Sequence, residues 1–296
     1  MNIKTVIFKA TDGVDLKGII YKSQEKTKKI LISIHGMATN CIKQRDEKIS
    51  EKLAEMNIDL LAFNNRGHDL VNYIKKENNE NEELSGTSYE EISECYEDIL
   101  GTINYAINNN YNEIYLMGHS LGSTKTIYAY NKMLKENKEI TEKIKGILLL
   151  SLVDIPTATQ IYLKDNFAPM VTYAKNMKKE GMENGLMPEK SFIHPISIKT
   201  FLRYSINNQD IDFAKFSDST YSFEEINNIK VPLFMRWGNN RELILQDANK
   251  LCEFLKTKIS NSQLDIGYID GANHSYDGKE EILAKEIKDF IKNIWI

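Results

Sequence analysis

The stretch Tyr115-Leu116-Met117-Gly118-His119-Ser120-Leu121-Gly122-Ser123 decides how the chain is read. An apolar strand, Glu113 to Met117, leads into it, and a helical run, Leu121 to Lys135, follows. Taken alone, G-x-S-x-G is a modest signal. With Gly and Ser each at about 7% usage, it arises by chance in roughly one chain in ten of this length. Between a strand and a helix it weighs more. A sharp strand-to-helix turn forces the serine backbone into a strained conformation, and glycines at 118 and 122 relieve the crowding between the two elements. The Ser120 hydroxyl then projects outward, and the first helical N–H groups face any developing negative charge. The plain alternative is an ordinary Gly-rich turn with a capping serine.

Working outward, the same rhythm repeats. Ile3 to Phe8, a turn at Asp12-Gly13, and Val14 to Tyr21 read as a β-hairpin. Lys29 to Ile34 is an apolar strand that stops at His35-Gly36, and Ile49, Leu53 and Met56 recur at helical spacing within Gln44 to Met56. Ile58 to Phe63 is a second buried strand running into a polar turn, Asn64 to His68. Ser88 and Glu91 form a capping-box pattern that opens a helix reaching about Asn108. Strands follow at Lys145 to Leu152, Val231 to Trp237 and Gln263 to Ile269, with helices at Gln246 to Thr257 and Lys279 to Ile294. Apolar strands alternating with helices predict a mostly parallel sheet covered on both faces, with ligands held beyond the strand C-termini.

Residues 155–229 break the rhythm. They are rich in Met and aromatic residues, among them Tyr162, Phe167, Met170, Tyr173, Phe192, Phe201 and Tyr204. An insertion of this length between core strands is not expected to be a bare loop. It is read as a mostly helical cap on a core formed by residues 1–154 and 230–296. Most of its aromatics are expected in the cap's own small core, and a minority in a pocket wall.

Several motifs together resemble the α/β-hydrolase superfamily of the serine esterase and lipase type: HGM at His35 to Met37, NNRGHD at Asn64 to Asp69, GHSLG at Gly118 to Gly122 and GANHSY at Gly271 to Tyr276. RWGNNREL at Arg236 to Leu243 is similar to a little-characterised branch of that superfamily. The resemblance implies an α/β-hydrolase fold, Ser120 as nucleophile, and an oxyanion hole from the backbone N–H groups of Leu121 and Met37. Among five histidines, His274 follows the Gln263–Ile269 strand, where the family keeps its catalytic base. His35 and His68 occupy motif positions that are usually structural, His119 lies inside the turn, and His194 before Pro195 suits a surface turn of the cap or a pocket wall.

The chain order of this fold, Ser then Asp or Glu then His, places the acid after the Val231–Trp237 strand. Many relatives carry Asp where this chain has Arg241, a departure from the pattern. Glu242, the next residue, has the right chemistry and matches the Glu that follows the Asn-rich turn in the similar branch. Asp154, at the end of the Lys145–Leu152 strand, is the main rival. Asp247 and Asp270 suit surface turns, and Glu242 paired with Arg241 at the surface is the plain alternative.

Composition narrows the function classes. With 296 residues and 42% hydrophobic residues, a sizeable core is available, and 27% charged residues suit a soluble surface. A net charge of −4 speaks against nucleic acid, whose binding needs clustered Lys and Arg. The opening MNIKTVIFKATDG alternates like a strand and lacks an apolar signal segment. No apolar run approaches the ~18–20 residues that span a bilayer. Cys41, Cys95 and Cys252, scattered and odd in number, suit a reduced cytoplasmic protein with packed thiols. HExxH, CxxC and dinucleotide motifs are missing, so neither metal nor cofactor is expected.

The leading expectation is hydrolysis of a small, apolar or aromatic carboxylic ester or thioester through an acyl-Ser120 intermediate. Acyl transfer, amide cleavage and a non-catalytic ligand-binding protein on the same fold are the alternatives. A third use of the aromatic insertion is as a surface for a homodimer mate or another partner.

Overall fold

Continuous apolar runs, rather than alternating ones, mark strands buried on both faces. In the computed structural model, which describes residues 2–77, 79–206, 212–244 and 246–294, these runs assemble into one sheet. The strands are β1 (Asn2–Lys9), β2 (Asp15–Lys22), β3 (Lys29–Ile34), β4 (Asp59–Asn64), β7 (Glu113–His119), β8 (Ile144–Leu150), β9 (Leu233–Gly238) and β10 (Leu264–Ile269). A separate two-stranded ribbon joins β5 (Asn72–Ile74) to β6 (Glu83–Ser85). The order in the eight-stranded sheet is β1-β2-β4-β3-β7-β8-β9-β10. β1 and β2 pair antiparallel, as does β2 with β4, and every pairing from β4 to β10 is parallel. This is the α/β-hydrolase fold.

Two apolar clusters lie on the two faces of the sheet. Ile30, Ile32 and Ile34 of β3 join the cluster that contains Ile99 and Ile103 of α2 (Cys95–Asn108), Ile127 of α3 (Leu121–Glu136) and Leu251 of α9 (Ala248–Lys258). Leu31, between them, joins the opposite cluster with Ile49 of α1 (Gln44–Ala54) and Ile287 of α10 (Glu280–Ile294). The period of two along one strand thus feeds two cores. Two short helices, α4 (Lys138–Thr141) and α8 (Glu224–Asn227), flank α3.

Between β8 and β9 the chain leaves the sheet for α5 (Ile155–Leu163), a 3₁₀ turn at Lys164–Asn166, α6 (Phe167–Lys179) and α7 (Ile198–Ser205). Asp154 caps α5, accepting from the Thr157 N–H at 3.1 Å. Phe201 and Tyr204 are buried, and Tyr204 stacks with Phe192 at 5.7 Å between ring centroids. Residues 207–211 lie outside the described residues.

The expected capping box does not form. Ser88 donates instead to the Pro195 carbonyl at 2.6 Å, and its own carbonyl accepts from the Ser197 N–H at 2.8 Å. The segment is spent on fastening the insertion to the core, and the helix starts later, through a 3₁₀ turn at Ile92–Glu94 into α2. The three cysteines are buried thiols. Among the described residues no helix is long and apolar enough to cross a membrane, and no cluster of His, Cys, Asp and Glu could hold a metal.

Candidate active site

β3, β7, β8, β9 and β10 are parallel neighbours, so the loops that follow them open side by side on one edge. Those loops carry Met37, Ser120, Ser151, Glu242 and His274 in turn.

At the end of β7 the backbone turns sharply. Ser120 has φ 56° and ψ −125°, a left-handed-side conformation that costs a non-glycine residue about 1–3 kcal/mol. It is held there by its N–H donating to the Leu150 carbonyl at 2.8 Å and by its carbonyl accepting from the Ser123 N–H at 2.9 Å. The turn works only because side chains are missing around it. A Cβ on Gly122 would collide with the Ile34 carbonyl, and one on Gly118 with the backbone of Gly122. One on Gly36 would lie 2.9 Å from the Ser120 Cβ. The loop after β3 therefore lies directly against the turn. Among the described residues the backbone N–H groups of Met37 and Leu121 donate to no protein acceptor.

His274 Nδ1 pairs with Glu242 Oε1. The carboxylate is almost fully buried and richly satisfied. Oε1 also accepts from the Leu243 N–H at 2.8 Å, and Oε2 accepts from the Ser151 hydroxyl at 2.7 Å and the Gly238 N–H at 3.1 Å. Burial opposes its ionisation, but the His274 ring and these donors outweigh burial and hold the carboxyl below its usual range. Arg241, at φ 54°, turns the chain outward so that Glu242 points inward, and the surface pairing of the two does not occur.

Asp154 is elsewhere. It caps α5 and accepts from the Ser217 hydroxyl at 3.4 Å, and burial raises its pKa. Asp247 caps α9, and Asp270 accepts from the Asn239 amide at 2.8 Å.

The remaining histidines sort by contact. The buried His35 accepts from the Asn65 N–H at Nε2 and faces the Gly36 carbonyl with Nδ1, and burial drops its pKa to about 3. His119 Nε2 donates to the His274 carbonyl at 2.7 Å, bracing the loop after β10, and burial pushes its pKa well down. His68 pairs with Asp69. His194 lines an internal wall rather than only a surface turn.

Two cavities meet at Met37, Ser120 and His274. One, about 410 Å³, is walled by Val153, Ile155, Tyr162, Phe192, Ile193 and Ile244. The other, about 210 Å³, is polar and opens between the first turn of α1 and the loop after β10.

Ser151 was not singled out by its sequence. It too is in the left-handed region, at φ 47°, and fully buried. Its position, one residue beyond an apolar strand adjacent to the nucleophile's strand, is the only signal that could have pointed to it.

The mostly parallel sheet, with a strained Ser between two crowded glycines and a His–carboxylate pair on the neighbouring loops, is that of an α/β-hydrolase fold. More narrowly, residues 85–296 match the family described as "Protein of unknown function (DUF1749)", and the chain belongs to it. Comparison with curated proteins finds no matching sequence. Among solved structures the chain is similar to the α/β hydrolase GrgF from Penicillium sp. sh18, at TM-score 0.67 and 15% identity over 99% of both chains. It is similar to a thermostable carboxyl esterase from Bacillus coagulans, at TM-score 0.66 and 14% identity over 100% of both. It is also similar to Est1E from Butyrivibrio proteoclasticus with ferulic acid bound, at TM-score 0.63 and 16% identity over 97% of this chain and 98% of that one.

Proposed function

We propose that the protein is a serine hydrolase that cleaves carboxylic esters or thioesters, with Ser120, His274 and Glu242 as its triad. The observation that carries this reading is the His274–Glu242 pair opening onto the same cavities as a strained, outward-facing Ser120. The esterase names of several structural neighbours support the reaction class.

In this reading Glu242 keeps the His274 proton on Nδ1, leaving Nε2 free to take a proton. Ser120 Oγ attacks the acyl carbon while its proton passes to Nε2. The Met37 and Leu121 N–H groups receive the carbonyl oxygen as it becomes an oxyanion, and one such donor is typically worth about 2.7–4 kcal/mol. Collapse breaks the acyl–oxygen or acyl–sulfur bond, and His274 returns its proton to the departing alcohol or thiol. Water then repeats the sequence on the acyl-Ser120 ester, releasing the acid and restoring the hydroxyl. The insertion serves as a cap, and the Val153–Phe192 cavity as the place for an apolar acyl group.

A fluorophosphonate probe tests the nucleophile. Labelling of the folded protein that disappears in Ser120→Ala, together with p-nitrophenyl ester turnover lost in that variant, is the expected result. Folded wild-type protein that takes up no probe and turns over no ester overturns the reading in favour of a binding protein.

A further inference from the structure

The polar cavity has a feature that an acyl pocket does not need. Arg45, the second residue of α1, is only 6% exposed, yet it is bonded through Nε alone, to Asp46 Oδ1 at 3.0 Å. Asp46 is in turn held by the Ser33 hydroxyl at 2.7 Å, which fixes the guanidinium's orientation. Among the described residues its two Nη groups have no partner, and the residue lines the cavity beside Ser120 and His274. Neither Nη is sealed away from the cavity, so both can reach an acceptor that enters it. Lys43, which lines the same cavity and caps α1 without a side-chain bond to its first turn, has no ion pair among the described residues. The N-terminus of α1 adds its partial positive charge at the same place.

We propose that this cavity is a carboxylate subsite, in which the Arg45 Nη groups, aided by Lys43, bind a carboxylate on the alcohol portion of the ester. The substrate would then be amphipathic, with an apolar acyl group in the larger cavity and an acidic alcohol in the smaller. The inference rests on the hydrolase reading for which end of the substrate is which. His274, which protonates the leaving group, borders both cavities, so the alcohol falls to the smaller one because the apolar acyl group takes the larger. A monoanion suits the cavity better than a dianionic phosphate. Asp277 and Glu280 also line it and oppose a second negative charge.

The test compares the hexanoyl esters of glycolate and of glycolamide, which differ only in the charged group, each rate divided by that ester's own alkaline hydrolysis rate. Wild-type kcat/KM is expected to favour the glycolate ester by roughly ten- to hundredfold, the range of a charged hydrogen-bonded contact. R45Q is expected to collapse the ratio towards one, R45K to keep part of it, and K43Q to reduce it without disturbing the buried Asp46 contact. A wild-type ratio near one, or a ratio that survives both R45Q and K43Q, overturns the subsite. Calorimetric binding of the two esters to Ser120→Ala separates this failure from that of the hydrolase reading. If neither ester is hydrolysed but the glycolate ester still binds at least tenfold more tightly, the subsite stands and the catalytic reading falls. Equal binding of the two esters removes the subsite whatever the enzyme does.

Discussion

Replacing Glu242 by Gln is the most informative perturbation, because each carboxylate oxygen has a defined set of donors. The amide must put its NH₂ group at one of two positions. At the Oε1 position it faces the Leu243 N–H and the His274 Nδ1. His274 could then answer only by carrying its proton on Nε2, the tautomer that cannot accept from Ser120. At the Oε2 position it faces the Gly238 N–H, donor against donor, while the Ser151 hydroxyl can rotate to accept. This second arrangement keeps the tautomer but leaves a buried N–H unsatisfied, at a cost of about 1–3 kcal/mol in stability. In both, the imidazolium formed during attack loses its counter-charge. Two unit charges about 4 Å apart interact by about 4 kcal/mol at an effective dielectric of 20, which corresponds to roughly a thousandfold in rate. Single-turnover hydrolysis of p-nitrophenyl butyrate, with thermal melts to confirm folding, measures the loss. The expected result is a fall of roughly 10³-fold in the acylation rate with a melting point lowered by only a few degrees. If folded Glu242→Gln retains more than about a tenth of wild-type turnover while Asp154→Asn loses it, the acid is Asp154 and the reasoning fails.

Two further outcomes follow, one from the same contacts and one from a buried ion pair elsewhere in the core. Ser151→Ala removes one donor from the Glu242 carboxylate, whose pKa the wild-type contacts hold down against burial. That pKa should rise, the carboxylate should become more basic towards His274, and the acid limb of the kcat/KM profile should move to higher pH. An unshifted limb would mean that Ser151 only packs. Lys125→Ala strands the Glu90 carboxylate, which is buried with the lysine at 2.6 Å and otherwise bonded to the Tyr204 hydroxyl at 3.1 Å. Denaturant melts should show a loss of about 3–5 kcal/mol, most of it recovered in Lys125→Met/Glu90→Leu, in which no charge is left behind.

What could be read from the sequence divides by range. Strand and helix positions come from local periodicity, and β3 falls on Lys29–Ile34 as the apolar run implied. The sheet's two-faced burial followed from the same runs. Ser88 shows where local reading fails. Ser-x-x-Glu is a sound helix start by itself, but the hydroxyl is taken by Pro195, 107 residues away, and no local pattern announces that competition. Ser151 was hidden for a similar reason, since a serine after an apolar strand has no signature until Glu242 folds back onto it. Arg45 has no distinguishing signal in the local sequence. Its idle guanidinium emerges only when the loop after β10 encloses it. His194 before Pro195 suits either a surface turn or a pocket wall, and its place on the cavity wall is settled only by how the insertion packs.

The two strained serines belong to one device rather than two. Ser120 and Ser151 follow adjacent parallel strands, and both take positive φ. The Leu150 carbonyl, just before Ser151, accepts both the Ser120 N–H at 2.8 Å and the Ser123 hydroxyl at 2.9 Å, so the end of β8 clamps the turn at the end of β7. With that carbonyl engaged by the turn after β7, the chain turns at Ser151, whose N–H donates to the Arg236 carbonyl of β9 at 2.7 Å and whose hydroxyl reaches Glu242. Tyr276, whose N–H closes the tight turn opened at Asn273, donates its hydroxyl to the same Arg236 carbonyl at 2.8 Å and so ties in the loop that carries His274. Backbone strain of this size persists only where neighbours over-determine it. Here the hydrogen bonds that hold Ser120 in its strained state are contiguous with those that aim Glu242 at His274, so relaxing either turn should misplace both.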